Sequence, residues 1–418
     1  MYDWANSVYS LTITTAVFPS YYLAVTNEKV SFLGFELINS ALYSYALSFS
    51  FLIAALLSPF LTSIADYTGK KKLFMQVFCY MGSFSCAYLF FFTSDNINLG
   101  ILAFILAGMG YSGSIVFYNS FLPEIATEDQ MDKVSARGFA FGYIGSVLLL
   151  IVNLAMLLKP QLFGLQNDGQ AAKISFLTVG IWWFLFAQYT FYYLPSNVYK
   201  RKAEGNWIFN GIKELGKVFS QLKSQTLLKK FLLAFFFYNM GVQTVMYMAT
   251  IFGKGELHLK TDELIIVILL IQIIAIFGAQ LFARVSGVYG NIKALMIIIM
   301  VWIGVCIAAY YIRSATEFYV LAVVVGFVMG GVQSMSRSTY AKLIPEDTLD
   351  HASYFSFYDV TDKLSTVIGT AMFGLINTLT GGMRPSALAL GLFFILGIIF
   401  ISGIPSLKSY YIRNVDLQ

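Results

Sequence analysis

Charged residues are scarce in this chain. They make up 12% of its 418 residues, whereas hydrophobic residues make up 58% and the mean hydropathy is +0.71. Soluble domains carry roughly 25% charged residues, about twice this share. The composition therefore excludes an ordinary soluble domain and indicates an integral membrane protein, whose main solvent is the lipid bilayer.

Cysteine and histidine are also rare, which argues against several kinds of site. The three cysteines, Cys79, Cys86 and Cys306, lie in apolar stretches without metal-ligand or disulfide spacing, so we expect small buried side chains. The two histidines, His258 and His351, fall in loops predicted on opposite sides of the membrane. No phosphate-binding loop occurs, and the net charge of +5 is a weak signal for nucleic acid. We therefore predict no metal, no cofactor, no nucleic-acid partner and no enzymatic activity.

Long apolar stretches recur along the whole chain. Each is about 20 residues long, the length that crosses roughly 30 Å of hydrocarbon as a helix. A longer polar connection at 195–229 separates the first six from the last six. The twelve stretches lie near residues 2–25, 40–64, 72–93, 97–121, 137–158, 174–194, 231–252, 262–283, 292–312, 317–340, 353–379 and 385–404.

This pattern predicts an all-α integral membrane protein with twelve transmembrane helices. We expect an N-terminal six-helix bundle at 1–194, a cytosolic linker at 195–229 and a C-terminal six-helix bundle at 230–418. Apolar residues recur at helical spacing between Trp207 and Leu222, so the linker is expected to contain an amphipathic helix on the inner leaflet. If both termini are cytosolic, 19 of the 27 basic residues lie inside and 7 outside, as the positive-inside rule requires.

Two short patterns recur at a nearly constant distance. One follows the second and eighth spans, with spacings of 4, 3 and 3 residues and an offset of 221; the other follows the fourth and tenth spans, with an offset of 222. Two matches at nearly one offset predict a duplicated six-helix unit with both copies in the same orientation. The patterns are Thr62, Asp66, Gly69 and Lys72 with Ala283, Gly287, Gly290 and Lys293, and Pro123-Glu124 with Pro345-Glu346.

The connection after the second span combines an acid, a tight turn and a basic cluster. It reads "SPFLTSIADYTGKKK", with Asp66 near a helix end, Gly69 at the reversal, and Lys70 and Lys71 after it. The lysines could simply anchor the loop on the inner side. The spacing resembles the loop signature of the major facilitator superfamily, Gly-x-x-x-Asp-x-x-Gly-[Arg/Lys]-[Arg/Lys], with Thr62 replacing the first glycine. The resemblance implies that these residues form an inner gate.

Four longer stretches resemble one branch of that superfamily, which contains the autophagy-related vacuolar amino-acid effluxers and many uncharacterised bacterial transporters. They read "YDWANSVYS", "LPEIATEDQMDKVSARGFAFGYIGS", "FFFYNMGVQTVMYMATIFGK" and "GGVQSMSRSTYAKLIPED…FSFYDVTDKLSTVIG". The resemblance implies the major facilitator fold, a bacterial inner membrane, and secondary transport of a small solute by alternating access, with amino-acid-like efflux as one form. Met240 stands where the family pattern usually has an acid. If that acid carries protons in relatives, this chain must couple to protons or another ion differently or use another carboxylate.

Polar side chains interrupt the apolar spans in pairs. On the seventh, tenth and eleventh spans two polar residues stand four positions apart, so each pair shares one helix face. Such groups are costly in lipid and usually face a cavity or one another. Candidate solute contacts are Asp3, Asn6, Tyr238, Asn239, Gln243, Gln333 and Arg337, and the candidate coupling pair is Asp359 and Lys363.

Several of these residues also have simpler interpretations. The Arg337 side chain could reach the inner headgroups, and Asp359 with Lys363 could be a structural ion pair. Glu124 and Arg137 flank the inner loop after the fourth span and belong either to the inner gate or to a solvated loop.

The start of the chain raises a separate question. Asp3 comes so early in the first span that we expect it at the inner surface, and residues before Met1 are expected to be missing. A second functional hypothesis stays open, a non-transporting membrane receptor or scaffold with a transporter fold. It would tolerate loss of the charges at Asp359 and Lys363.

Overall fold

The computed structural model describes residues 1–197, 199–201 and 206–405, without the side chains of 208, 261 and 262. The basic residues Lys202, Lys408 and Arg413, which were counted toward the topology, lie outside this part.

Helices of the first half are α1 (Tyr2–Val8), a π-helix (Tyr9–Ala16), α2 (Phe18–Val25), α3 (Asn39–Thr68), α4 (Lys71–Tyr88), 3-10 turns (Leu89–Phe91 and Ser94–Asn96), α5 (Ile97–Ser120), α6 (Leu122–Ile125), α7 (Glu128–Leu158), a 3-10 turn (Pro160–Phe163) and α8 (Asp168–Tyr193).

The described residues of the second half form helices joined by short connections. The predicted amphipathic stretch of the linker forms its first helix. Its elements are α9 (Trp207–Ser224), α10 (Thr226–Leu257), α11 (Thr261–Tyr289), α12 (Asn291–Tyr311), α13 (Ala315–Leu343), α14 (His351–Thr380) and α15 (Met383–Ser402).

Eleven helical segments among the described residues are long and apolar enough to cross a membrane. They coincide with eleven of the twelve predicted spans. The remaining predicted span coincides with α14, a helix of 30 residues that is less apolar because Asp359, Asp362 and Lys363 lie near its middle. The helical membrane architecture predicted from the sequence is therefore confirmed, and α14 is its most polar member.

A short β-hairpin lies between the first two spans and was not predicted. Strands β1 (Lys29–Phe32) and β2 (Phe35–Ile38) pair antiparallel. The turn residues Leu33 and Gly34 have φ values of 52° and 88°, the left-handed conformation of a tight two-residue hairpin turn. Four-residue strands are too short for alternating hydrophobicity to stand out beside a 30-residue apolar helix.

Both duplicated turns contain a glycine with positive φ, although ψ differs, at 19° for Gly69 and 157° for Gly290. Gly69 ends α3 with φ of 67°, and Gly290 ends α11 with φ of 85°. Glycine adopts these left-handed conformations without the steric cost that a Cβ atom would add. The geometry agrees with a repeat of the six-helix unit at the offset of 221 residues.

The chain divides into two compact units, and the bundles at 1–194 and 230–418 stay a prediction. The first comprises Met1–Asn119 and Phe141–Leu215, and the second comprises Ser120–Ala140 and Gly216–Gln418. The segment Ser120–Ala140, which precedes the fifth predicted span, thus belongs with the C-terminal helices. The other boundary falls within α9, whose halves bond to different units.

Side-chain contacts explain the division of α9. In the first unit, the Ser63 hydroxyl donates to the Gly211 backbone carbonyl. In the second unit, the Phe219 ring stacks on Phe357 with centroids 6.0 Å apart. The apolar face of α9 thus packs partly on other helices and is partly exposed.

Helices α11 and α13 approach each other backbone to backbone. A Cβ atom added at Gly278 would lie 1.9 Å from the Phe327 carbonyl oxygen, and one at Gly330 would lie 2.0 Å from the Ala275 carbonyl oxygen. Small residues allow this close packing, which membrane helices use in place of a hydrophobic driving force.

We expect Gly330→Ala to destabilise the protein, because backbone atoms cannot rotate away from the new methyl group. Overpacking of this kind costs about 1–3 kcal/mol and should lower the apparent Tm in detergent by about 5 °C. Gly304→Ala is the matched control, since a Cβ atom there meets nothing within 4 Å. Equal melting temperatures for the two variants would contradict the packing described.

Candidate functional site

A charged cluster occupies the middle of α14. Lys363 Nζ lies 3.1 Å from Asp359 Oδ1 and 3.0 Å from Asp362 Oδ2. The predicted pair, Asp359 and Lys363, is therefore in contact. The structure adds a second carboxylate, because position 362 is three residues after 359 and shares its side of the helix.

Helix α10 supplies two amides to the same cluster. Asn239 Nδ2 donates to Asp362 Oδ1 at 2.9 Å and to Ser365 Oγ at 2.7 Å, and Gln243 Nε2 donates to Asp362 Oδ1 at 3.1 Å. Both amides, predicted to share a helix face, thus meet one carboxylate. We call Asn239, Gln243, Asp359, Asp362 and Lys363 the α10–α14 polar network.

Sequence reasoning missed Asp362. The spacing argument selected acid–lysine pairs four positions apart, and Asp362 is adjacent to Lys363 in sequence. The sequence did contain a signal for Asp362. This residue follows Asp359 by three positions within an otherwise apolar predicted span, where any carboxylate is costly.

Tyr238 points to a different neighbour than Asn239 does. Its hydroxyl lies 2.7 Å from Ser336 Oγ on α13, and its side chain is fully buried. The predicted solute contacts on α10 therefore have different partners. Tyr238 bonds to α13, and the two amides bond to α14.

Arg337 is buried against the segment Ser120–Ala140. Its Nε donates to Ser135 Oγ at 2.9 Å, its Nη2 donates to the Ser135 carbonyl at 2.8 Å, and its guanidinium lies over the Phe139 ring. Only 5% of the residue is exposed, so the side chain does not extend to lipid headgroups. Gln333, one turn earlier on α13, is half-buried.

A second buried cluster, also missed from the sequence, joins the same segment to α11, α12 and α13. Asp132 accepts hydrogen bonds from Ser286 Oγ at 2.8 Å, Asn291 Nδ2 at 2.7 Å and Lys342 Nζ at 2.8 Å. We call these four residues the Asp132 cluster. Ser286 and Asn291 flank the turn at Gly290, so the repeated turn holds a carboxylate from the segment before the fifth predicted span.

In the first unit, Asp3 is buried rather than exposed at a surface. Its Oδ2 accepts a hydrogen bond of 2.5 Å from the Tyr118 hydroxyl of α5, and 7% of the residue is exposed. Asn6 is 1% exposed on the same helix. α5 and the stacked rings of Trp4 and Trp182 pack around the start of α1 and enclose Asp3, and its place at the inner surface stays a prediction.

The predicted inner-gate residues are spread between buried and exposed positions. Asp66 is 1% exposed, and its backbone carbonyl accepts a hydrogen bond from Arg201 Nη1 at 2.8 Å. Of the adjacent basic residues, Lys71 is buried and Lys70 is exposed. A Cβ atom at Gly69 would lie 2.6 Å from the Asn197 side chain, so the turn is also sterically tight.

The two remaining gate candidates lie in the second unit. Glu124 on α6 is half-buried, and Arg137 on α7 is exposed. Asp132 and Ser135, between them in the chain, make the contacts that join this segment to the C-terminal helices.

An apolar pocket lies within the second unit, and no residue of the polar network lines it. Its lining is entirely apolar and includes Phe252, Ile271, Cys306 and Phe318. None of the predicted solute-contacting residues lines it. It offers no hydrogen-bond partner to a polar solute, so the α10–α14 polar network is the better candidate site.

Sequence comparison places the chain beside membrane effluxers and transporters. The family described as "Vacuole effluxer Atg22 like" matches residues 1–410. The chain is 34% identical over 408 residues to the "Uncharacterized MFS-type transporter YxiO" of Bacillus subtilis, covering 97% of this chain and 93% of that protein. It is 23% identical over 452 residues to "Autophagy-related protein 22-1" of Penicillium rubens, covering 85% and 74%.

Structural comparison gives the same fold. The E. coli fucose:proton symporter FucP matches with a TM-score of 0.70 at 12% sequence identity, over 97% of this chain and 96% of that one. At this identity the match shows the fold alone. The chain therefore belongs to the vacuole effluxer Atg22-like family, within the major facilitator superfamily of membrane transporters.

Proposed function

We propose that this protein is a secondary active transporter that moves a small solute by alternating access between its two six-helix halves. The observation that carries the proposal is the α10–α14 polar network, in which five polar side chains meet within otherwise apolar helices. Polar groups inside membrane-spanning helices are costly and usually mark substrate or ion pathways. The proposed setting is a bacterial inner membrane with both termini cytosolic.

The solute path would use polar side chains of both halves. In the first unit these are Asp3 and Asn6, and in the second they are Asn239, Gln243 and Gln333. Tyr238 and Arg337 would act from the edge of this path, since their polar atoms already bind Ser336 and Ser135. Carboxylates, an ammonium group and amides together suit a solute that carries both charges, which supports an amino-acid-like substrate.

The inner gate would include the contacts made by Ser120–Ala140. Asp132 and Ser135 bind α11, α12 and α13, and these bonds would break when the cytosolic side opens. Asp66, Gly69, Lys70 and Lys71 would supply the corresponding turn in the first half, and Glu124 and Arg137 belong to the segment itself.

The coupling pair Asp359 and Lys363 would link solute movement to an ion. One solved neighbour of similar fold is a fucose:proton symporter. In the present chain, the carboxylates of Asp359 and Asp362 beside Lys363 support a proton as the coupling ion. We propose no enzymatic activity for this protein and no active-site nucleophile.

The test is reconstitution of the purified protein in liposomes. A panel of radiolabelled amino acids, peptides and sugars is screened for flux with and without a pH gradient, and Lys363→Ala is measured in parallel. We expect wild-type flux for at least one solute and reduced flux in the variant. No flux for any solute in either protein would favour a receptor or scaffold that kept the transporter fold.

A further inference from the structure

The α10–α14 polar network carries an unbalanced charge. It contains two carboxylates, Asp359 and Asp362, and one ammonium group, Lys363. With all three groups ionised the cluster has a net charge of −1. A buried charge without compensation is unfavourable, so the cluster favours the uptake of one further positive charge.

The two carboxylates differ in how many hydrogen bonds their oxygens accept. Asp362 uses both oxygens, because Oδ1 accepts from Asn239 and Gln243 and Oδ2 accepts from Lys363. Hydrogen bonds to a carboxylate favour its charged form. Both oxygens of Asp362 are therefore engaged as hydrogen-bond acceptors.

Asp359 is satisfied on one side only. Its Oδ1 contacts Lys363, whereas its Oδ2 is buried and has no hydrogen-bond partner among the described residues. The residue is 5% exposed. A buried oxygen without a donor is costly, and a proton on Oδ2 removes both this penalty and the net charge of the cluster.

Neighbouring titratable groups are engaged elsewhere. On α10 the Tyr238 hydroxyl pairs with Ser336, and on α13 Arg337 binds Ser135 and the Tyr340 hydroxyl donates to the Tyr354 carbonyl. Tyr358, on α14 itself, is half-buried and its ring stacks on Phe235 of α10 with centroids 4.3 Å apart. Lys363 and Asp362 are the charged side chains that act on Asp359.

We propose that Asp359 binds the coupling proton on Oδ2, while Asp362 remains ionised and holds the α10 amides. The inference rests on the proposed function and assigns the two acids different tasks. One proton passes from water to Oδ2 and returns to water in the cycle. When Asp359 is neutral, Lys363 forms its ion pair with Asp362 rather than with Asp359. When Asp359 is ionised, the two carboxylates share Lys363. Proton uptake therefore alters the surroundings of Asp362, the carboxylate that binds Asn239 and Gln243.

The test reads the proton directly and needs no known solute. Infrared difference spectra of the full-length protein in lipid nanodiscs are recorded during a pH titration, and the carbonyl band of a buried protonated carboxyl is followed. We expect wild type to show one titrating band that is absent in Asp359→Asn. Asp359→Glu should restore it at a shifted midpoint, which separates a lost proton site from a misfolded variant.

Asp362→Asn gives a second, independent readout. Removing this anion leaves Asp359 and Lys363 as a balanced pair, so the band of Asp359 should titrate at lower pH than in wild type. A band that is unchanged in Asp359→Asn, or one that disappears only in Asp362→Asn, overturns the inference. A titrating Asp359 in a protein that moves no solute of the panel would instead overturn the proposed function.

Discussion

Replacing Lys363 with methionine should lower the initial rate of solute uptake into proteoliposomes by at least about 100-fold. The ammonium group neutralises two carboxylates that lie 3.1 and 3.0 Å away. Without it, Asp359 and Asp362 would share a buried site with a net charge of −2. Removing one partner of a buried ion pair costs about 3–5 kcal/mol, and each 1.4 kcal/mol is a tenfold change.

A variant that keeps the wild-type net charge of −1 separates the loss of function from a loss of folding. In the double variant Asp362→Asn and Lys363→Met, one carboxylate remains, and the hydrogen bonds of a neutral amide replace those of the anion. We expect this protein to regain the thermal stability of wild type but not its uptake. Recovery of uptake would show that the charges serve only to hold α10 and α14 together.

Asp132→Asn should release the segment Ser120–Ala140 from the C-terminal helices. The carboxylate accepts three hydrogen bonds and forms a buried ion pair with Lys342 at 2.8 Å. Loss of the negative charge breaks the buried ion pair between Asp132 and the Lys342 ammonium, at a cost of about 3–5 kcal/mol. A cost of this size moves a two-state equilibrium by about 100-fold or more toward the state in which the contacts are broken.

Cysteine labelling measures this release. Ser338 on α13 is fully buried, and the native cysteines Cys79, Cys86 and Cys306 are buried as well, so background labelling should be low. We expect a water-soluble maleimide to label Ser338→Cys at least about tenfold faster when Asp132→Asn is also present.

The matched control for this experiment is Asp129→Asn, which removes an exposed acid from the same end of α7. An exposed charge of this kind contributes about 1 kcal/mol or less. Equal labelling rates in the two backgrounds would show that the Asp132 cluster does not hold the segment in place.

The two clusters give α13 and α14 different tasks in the proposed cycle. α14 holds the charges that would bind a proton and contact the solute, whereas α13 carries Arg337 and Lys342, which bind the segment Ser120–Ala140. Tyr238 bonds α13 from α10, and Asn239 next to it bonds α14. Helix α10 thus connects the proposed coupling site with the proposed gate through two adjacent residues.

Features set by local chemistry could be predicted from the sequence. Apolar length fixes the spans, because a helix satisfies its own backbone hydrogen bonds in lipid and about 20 residues cross the hydrocarbon. Residues four positions apart share a helix face, which predicted that Asp359 meets Lys363 and that Asn239 and Gln243 point the same way. Glycine spacing predicted the turn at Gly69.

Features that depend on which helices become neighbours required the tertiary structure. Asp362 receives both amides from a helix more than a hundred residues away in sequence, and Asp132 receives donors from α11, α12 and α13. The burial of Asp3 against Tyr118 depends in the same way on the packing of α5. Sequence periodicity specifies the face of a helix but not the partner of that face, because partners are chosen by close packing over the whole bundle.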